Sequence, residues 1–189
     1  MHWNIPTLLT WLRIVLIPVF VGIFYLPPDV IPAHWVNFSA TLIFAVAAVT
    51  DWLDGWLARR LNQTSAFGAF LDPVADKLMV AAALIVLVEL GRVGAVVALI
   101  IIGREIAISA LREWMASLGE GGSVAVAMVG KLKTSAQMAA ILFLLYAEPI
   151  LGINSLQVGT LLIYLAVVLT LASMLHYLKA ARDQLRQAA

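Results

Sequence analysis

The sequence contains no cysteine and few charged residues. With no cysteine among 189 residues, disulfide bonds, thiolate metal ligands and cysteine nucleophiles are excluded. Charged residues make up 12% of the chain and hydrophobic residues 63%, and the mean hydropathy is +0.99. That is too little polar side chain to cover the surface of a soluble globule. The composition therefore predicts a protein embedded in membrane lipid.

The charge that is present has no strong excess of either sign. Twelve Lys and Arg residues and eleven Asp and Glu residues give a net charge of +1. This balance provides neither a basic surface for nucleic acid nor an acidic disordered tail. The N-terminal segment also lacks a basic stretch and a small-residue cleavage site, so we expect it to be retained as the first helix.

Proline, glycine and charge clusters divide the hydrophobic sequence into six stretches of about the length that a membrane-spanning helix needs. The predicted spans are residues 5–26, 35–58, 72–90, 94–117, 134–149 and 154–178. No repeat or second domain is visible. Residues 1–189 are therefore predicted to form a single all-α integral membrane domain, with six transmembrane helices around a polar cavity that faces the cytoplasm.

Basic residues are distributed unevenly between the connections. Arg59 and Arg60 follow the second span, and Lys131 and Lys133 precede the fifth, whereas the connection 27–34 contains neither Lys nor Arg. Because Lys and Arg accumulate in cytoplasmic loops, both termini are predicted to be cytoplasmic. No organelle-targeting segment is evident, which favours a bacterial inner membrane.

Four aspartates interrupt the hydrophobic sequence where the second span ends and the third begins. Asp51 and Asp54 are three residues apart and Asp72 and Asp76 are four apart, so each pair lies on one face of its helix. A charge inside a membrane helix costs roughly 2.5–3.5 kcal/mol on insertion scales, so such a cluster needs compensation. Carboxylate ligands without His or Cys favour Mg²⁺ or Mn²⁺, and Mg²⁺ usually completes its shell with substrate phosphates.

Other compensation is conceivable for the same acids. Each aspartate could form a buried ion pair with Arg59, Arg60 or Lys77, or the carboxylates could line an ion or proton pathway, as in a transporter. Gly55 and Ala58 lie on the face that carries Asp51, where small side chains would let a ligand approach the backbone. Arg59 could then bind a phosphate oxygen.

Residues 51–76 read DWLDGWLARRLNQTSAFGAFLDPVAD. This segment resembles the signature DxxDGxxAR, eight residues, GxxxDxxxD of the CDP-alcohol phosphotransferase family, and every signature position matches. The resemblance implies transfer of a phosphatidyl group from CDP-diacylglycerol to a small alcohol, with CMP as the leaving group. It also implies a homodimer and a centre that holds two Mg²⁺ or Mn²⁺ ions on the donor pyrophosphate.

The same resemblance assigns roles to individual residues. The metal ligands would be Asp51, Asp54, Asp72 and Asp76, and Asp76 would also act as the general base. The implied contacts to the CDP moiety come from Gly55, Ala58, Arg59 and Gly68. Thr50 is either a further nucleotide contact or a hydroxyl that is satisfied within its own helix.

A second group of polar residues suggests where the acceptor alcohol binds. Its members lie on the fourth predicted helix and just before the fifth, and they are Arg104, Ser109, Arg112, Lys131 and Lys133. Together they could bind an acceptor that carries its own phosphate. Alternatively, Arg104–Glu105 and Arg112–Glu113 could neutralise each other, and the lysines could reflect only the cytoplasmic bias.

Three further segments narrow the acceptor by resemblance. GREIxxSxLRE, GKxKTxxQ and the opening NIPTLLTWLRI resemble family members whose acceptor is sn-glycerol 3-phosphate. Inositol phosphate, serine and phosphatidylglycerol are the alternative acceptors. In the opening segment, Arg13 is expected either to pair with an aspartate of the second helix or to extend to the membrane interface.

Overall fold

Six α-helices form the described part of the chain. The computed structural model describes the backbone of residues 5–61, 66–117 and 128–188, and the side chains of residues 8–51, 53, 71–111, 113–114 and 132–175. The helices are α1 (Ile5–Gly22), α2 (Ala33–Leu61), α3 (Ala66–Glu89), α4 (Ala95–Ser117), α5 (Met128–Tyr146) and α6 (Ser155–Ala188), with a 3-10 turn at Ile23–Tyr25. Since these ranges contain no β-strand, the all-α prediction is confirmed.

Several of these helices are suited to lipid. Among the described residues, three segments are long and apolar enough to cross a membrane, namely Leu8–Tyr25, Ala33–Asp51 and Ser155–Leu175. A shorter apolar segment, Leu132–Tyr146, lies in α5. α3 carries charged residues within an otherwise apolar sequence, among them Asp72 and Asp76. The apolar helices make this an integral membrane protein.

The helices α2 and α6 continue beyond the predicted spans. α2 ends at Leu61 and α6 at Ala188, whereas the predictions ended at residues 58 and 178. Hydropathy detects only the apolar part of a helix. The extension of α2 consists of Arg and Leu, and that of α6 is rich in Ala, Arg and Gln. These residues favour helix without any lipid contact.

Helix α1 packs on α2 and α3, α2 packs on α5, and α4 packs on α3 and α6. The most extensive contact joins α5 to α6. There the backbone of Gly159 approaches α5 so closely that a Cβ atom at this position would lie 2.7 Å from Leu144 Cγ. Fully buried apolar side chains fill the centre, among them Phe20, Phe44, Leu84, Leu87, Ile101, Ile141, Leu144 and Ile163.

Arg92 donates hydrogen bonds to α2 and α5 at one end of the helix bundle. The chain leaves α3 through Gly91, whose φ of +68° allows the Arg92 N–H to reach Leu87 O at 2.9 Å. The Arg92 guanidinium then donates to Leu144 O at 2.9 Å and Leu145 O at 3.0 Å, near the end of α5. It also donates to Asn37 Oδ1 at 2.9 Å, near the start of α2. Burial lowers the pKa of Arg92, and nearby Glu148 opposes that shift.

Candidate active site

Helix α1 brings together carboxylates from α2 and α3. The Thr10 hydroxyl donates a hydrogen bond to Asp72 Oδ1. One turn further along α1, Arg13 NH1 lies 3.2 Å from Asp51 Oδ1. Arg13 is 1% exposed, so of the two roles considered for it the structure shows the pair with an aspartate of the second helix. Thr10 and Arg13 thus hold two of the predicted metal ligands from the same side.

Asp76, one turn after Asp72, faces α4 across a cavity. The cavity has a volume of about 300 Å³, and its described walls are Pro73, Asp76, Lys77, Glu105, Ser109 and Glu113. Asp76 also lies within electrostatic range of Asp51, Arg13, Glu105 and Lys77. The predicted base therefore borders a space that could receive a small polar molecule, and it lies beside the acids held by α1.

Two of the predicted acceptor cations, Arg104 and Lys133, contact Glu105. Its Oε1 atom accepts a hydrogen bond from Lys133 Nζ of α5 and lies 3.3 Å from Arg104 NH1. Arg104 NH2 donates to Ser173 Oγ of α6 at 2.8 Å. Arg104 is 7% exposed and Lys133 3%. The structure thus shows the Arg104–Glu105 pair that was considered as an alternative, and it adds a buried lysine to it.

Two predicted hydroxyl contacts are satisfied locally. Ser109 Oγ donates to Glu105 O at 2.7 Å, and Thr50 Oγ donates to Ala47 O at 2.8 Å. Both are backbone bonds within a helix. Because a hydroxyl oxygen can still accept a hydrogen bond, their contacts to substrate stay predictions.

The remaining predicted site residues have side chains outside the described set. Their backbones lie on α2, α3, α4 and α5, and the residues are Asp54, Gly55, Ala58, Arg59, Gly68, Arg112 and Lys131. α2 is continuous from Ala33 to Leu61. The helical spacing assumed for Asp51 and Asp54 therefore holds along the backbone.

The available ligands suit a hard divalent cation. Within the described side chains, no group of three His, Asp or Glu residues is close enough to hold a metal ion, and the Asp54 carboxylate lies outside that set. The three predicted ligands that are described, Asp51, Asp72 and Asp76, offer carboxylate oxygens only. That donor chemistry fits Mg²⁺ or Mn²⁺ rather than Zn²⁺.

Two of the polar contacts that sequence reasoning missed involve hydroxyl groups of α1 and α6. Neither the Thr10 bond to Asp72 nor the Ser173 bond to Arg104 was predicted. The signal was present in both cases, because Thr10 precedes Arg13 by three residues and Thr170 precedes Ser173 by three. Polar pairs at helical spacing in an apolar segment indicate a face turned toward other polar groups.

The described fold and site define an all-helical integral membrane protein in which carboxylates of neighbouring helices meet beside buried cations. The sequence model of the family described as CDP-alcohol phosphatidyltransferase matches residues 3–172. The chain belongs to this family. The resemblance inferred from residues 51–76 is thereby confirmed.

Curated relatives match nearly the whole chain. Two of them are named CDP-diacylglycerol–glycerol-3-phosphate 3-phosphatidyltransferase, one from Shigella flexneri serotype 5b (strain 8401) and one from Escherichia coli (strain K12). They are 55% and 54% identical to this chain over 187 residues, and each match covers 98% of both proteins.

Proposed function

We propose that this protein transfers the phosphatidyl group of CDP-diacylglycerol to sn-glycerol 3-phosphate, forming phosphatidylglycerophosphate and CMP. The observation that carries the proposal is the 54–55% identity, over 98% of the chain, to relatives named for this reaction. The cavity beside Asp76 agrees with it, because an acceptor hydroxyl there would lie next to a carboxylate.

On the donor side, the ligands proposed for two Mg²⁺ or Mn²⁺ ions are Asp51, Asp54, Asp72 and Asp76. Ions bound there supply Lewis-acid polarisation of the pyrophosphate oxygens. Thr10 and Arg13 hold Asp72 and Asp51 in position. The CDP moiety is proposed to contact Gly55, Ala58, Arg59 and Gly68, with Thr50 as a further contact.

In the proposed reaction Asp76 accepts the proton of the acceptor's 1-hydroxyl. The hydroxyl oxygen attacks the phosphorus attached to the lipid and forms a new P–O bond, while the pyrophosphate P–O bond breaks and CMP leaves. General-base assistance of this kind contributes about 10²- to 10⁴-fold to a rate. Asp76 suits the role because it borders both the cavity and the acids held by α1.

The phosphate of the acceptor distinguishes this reaction from that of a serine-dependent relative. The proposed phosphate ligands are Arg104, Ser109, Arg112, Lys131 and Lys133. Two of them, Arg104 and Lys133, are buried cations close to the cavity. Both cations contact the single carboxylate of Glu105, so the positive charge of the three side chains exceeds the negative charge. This favours an acceptor that carries its own phosphate.

The arrangement in the membrane is part of the same proposal. A single domain of residues 1–189 would cross a bacterial inner membrane six times, with the termini and the cavity facing the cytoplasm and lipid tails entering from the side. The basic residues of the second and fourth connections support this orientation. Association into a homodimer is proposed on family resemblance alone.

The test is CMP release by purified protein in detergent, with CDP-diacylglycerol as donor. We expect Mg²⁺-dependent release with sn-glycerol 3-phosphate and none with serine, inositol phosphate or phosphatidylglycerol. Asp76→Asn keeps the shape of the side chain but cannot accept the proton, so release should fall by about 10²-fold or more.

Each alternative predicts a different result. Release with another acceptor alone would replace the proposed acceptor and keep the reaction class. If no acceptor supported release, while sealed vesicles containing the protein showed ion or proton flux, the transferase proposal would be wrong and a transport function would take its place.

A further inference from the structure

We propose that Glu105 is a specificity-determining residue. Its carboxylate pairs with the phosphate-binding cations Arg104 and Lys133 until the phosphate of the acceptor displaces it. The inference rests on the proposed function, because it concerns the acceptor side of that site. It assigns a role to a residue that lies outside the predicted metal, nucleotide and phosphate ligands.

The two cations beside Glu105 are buried. Arg104 and Lys133 are 7% and 3% exposed, and both contact the same oxygen, Glu105 Oε1. A buried cation without a counter-charge is strongly destabilising. Before any substrate binds, therefore, Glu105 supplies negative charge that these two side chains require.

Glu105 belongs to the described wall of the cavity, whereas its two cations do not. Glu105 and Ser109 of α4 line the space that Asp76 borders, whereas Arg104 and Lys133 are not among its described walls. Glu105 is also the most exposed of the three charged side chains, at 23%. The carboxylate therefore separates the two cations from the cavity. A phosphate that enters beside Asp76 meets Glu105 first.

The acceptor phosphate can take the place of the Glu105 carboxylate. An acceptor phosphate provides oxygens that can replace those of Glu105 around Arg104 and Lys133, and the released carboxylate can turn toward the open cavity. Glycerol offers no anion, and serine offers only a carboxylate that is balanced by its own ammonium group, so in their presence Glu105 stays paired. Discrimination then arises from the acceptor's ability to displace Glu105, in addition to direct contacts.

Glu105→Gln tests the exchange because it removes the competing charge and changes the shape little. We expect the KM for sn-glycerol 3-phosphate to fall roughly tenfold, with a similar gain in inhibition by inorganic phosphate, since the contacts of Arg104 and Lys133 to residue 105 are no longer charge-assisted on both sides. A kcat change alone, or a rise in KM, would mean that Glu105 merely positions the cations and would overturn the proposal.

Glu113→Gln is the matched control. Glu113 lines the same cavity on the same helix, and the structure gives it no ion pair with a described residue. Its neutralisation removes the same charge from the same wall. Equal decreases in KM for both variants would show a general electrostatic effect and would overturn the exchange at Glu105. A decrease for Glu105→Gln alone supports it.

A measurement without turnover separates this inference from the proposed function. In detergent, inorganic phosphate should raise the unfolding temperature of Glu105→Gln more than that of the wild type, because the variant removes the competing Glu105 carboxylate from both cations. If the variant does not fold, Glu105→Asp should show an intermediate gain, since its shorter side chain reaches the cations less well. No extra stabilisation in either variant would overturn the inference, even if CMP release followed the proposed reaction.

Discussion

At the scale of single residues, Arg13 shows how acids are tolerated in this apolar chain. Its guanidinium is buried, while the Asp51 side chain 3.2 Å away is 45% exposed. Arg13 also lies within electrostatic range of Asp76. Carboxylates that face one another repel unless a cation lies between them. Arg13 supplies part of that compensation from within the protein, and divalent ions bound to the carboxylates would supply the rest.

Arg13→Met is therefore expected to make the protein more dependent on Mg²⁺. Breaking a fully buried ion pair from one side costs roughly 3–5 kcal/mol, and because the Asp51 side chain that remains is 45% exposed, the cost here should lie below that range. In EDTA the unfolding temperature of the variant should fall below that of the wild type, and added Mg²⁺ should raise it by more than it raises the wild type.

Arg13→Lys is the control, because it keeps the charge and should show a smaller Mg²⁺ effect. The idea fails if Mg²⁺ stabilises the wild type and Arg13→Met equally. Unfolding can be followed by intrinsic tryptophan fluorescence, since the chain contains six tryptophans.

Residue roles were only partly predictable from the sequence. The spacing of Asp72 and Asp76 on one helix face followed directly from helical periodicity. The partner of Arg13 did not, because pairing with an aspartate and extension to the interface satisfy the same local sequence. Only the packing of α1 against both α2 and α3 selects the pair. Likewise, only α5 reveals that Glu105 binds Lys133, 28 residues further along the chain.

At the scale of elements, the existence of the six helices was easier to predict than their contacts. Hydropathy identified each apolar segment, but it contains no information about which helix lies beside which. The contact between α5 and α6 illustrates this, because it depends on Gly159, a residue that the sequence does not distinguish from Gly103. A Cβ atom at Gly103 would meet no atom within 4 Å.

Gly159→Ala should therefore destabilise the protein. The added Cβ would lie 2.7 Å from Leu144 Cγ and 3.1 Å from the Leu144 backbone nitrogen, and the backbone atom cannot move without shifting α5. Overpacking of this kind costs about 1–3 kcal/mol. The measurement is the unfolding temperature in detergent.

Gly103→Ala is the matched control for that substitution. It adds the same methyl group to a helix where space is open, and it should be neutral or stabilise by about 0.5–1 kcal/mol through helix propensity. Equal changes for the two variants would mean that α5 and α6 are not closely packed at Gly159.

At the scale of the whole molecule, the charged site and the Arg92 contacts lie at opposite ends of the helices. Asp51 lies in the second half of α2, Asp72 in the first half of α3 and Lys133 in the first half of α5. Arg92 instead joins Asn37, near the start of α2, to the carbonyls near the end of α5. α2 therefore runs in the opposite direction to α3 and α5, an alternation that agrees with the proposed six membrane crossings. The distribution of Lys and Arg among the connections predicted this alternation. It did not predict the hydrogen bonds of Arg92 at the other end of the helices.

The same alternation makes the orientation testable, because the chain has no cysteine and any introduced thiol is unique. Leu151, between α5 and α6, is 98% exposed and lies on the Arg92 side. Gln63 lies in the sequence between α2 and α3, on the predicted cytoplasmic side. In intact bacterial cells, a membrane-impermeant maleimide should label Leu151→Cys directly and Gln63→Cys only after permeabilisation. Retained CMP release by both variants would show that they are folded. The reverse labelling pattern would invert the predicted orientation, and labelling of both residues from outside would contradict an odd number of crossings between them.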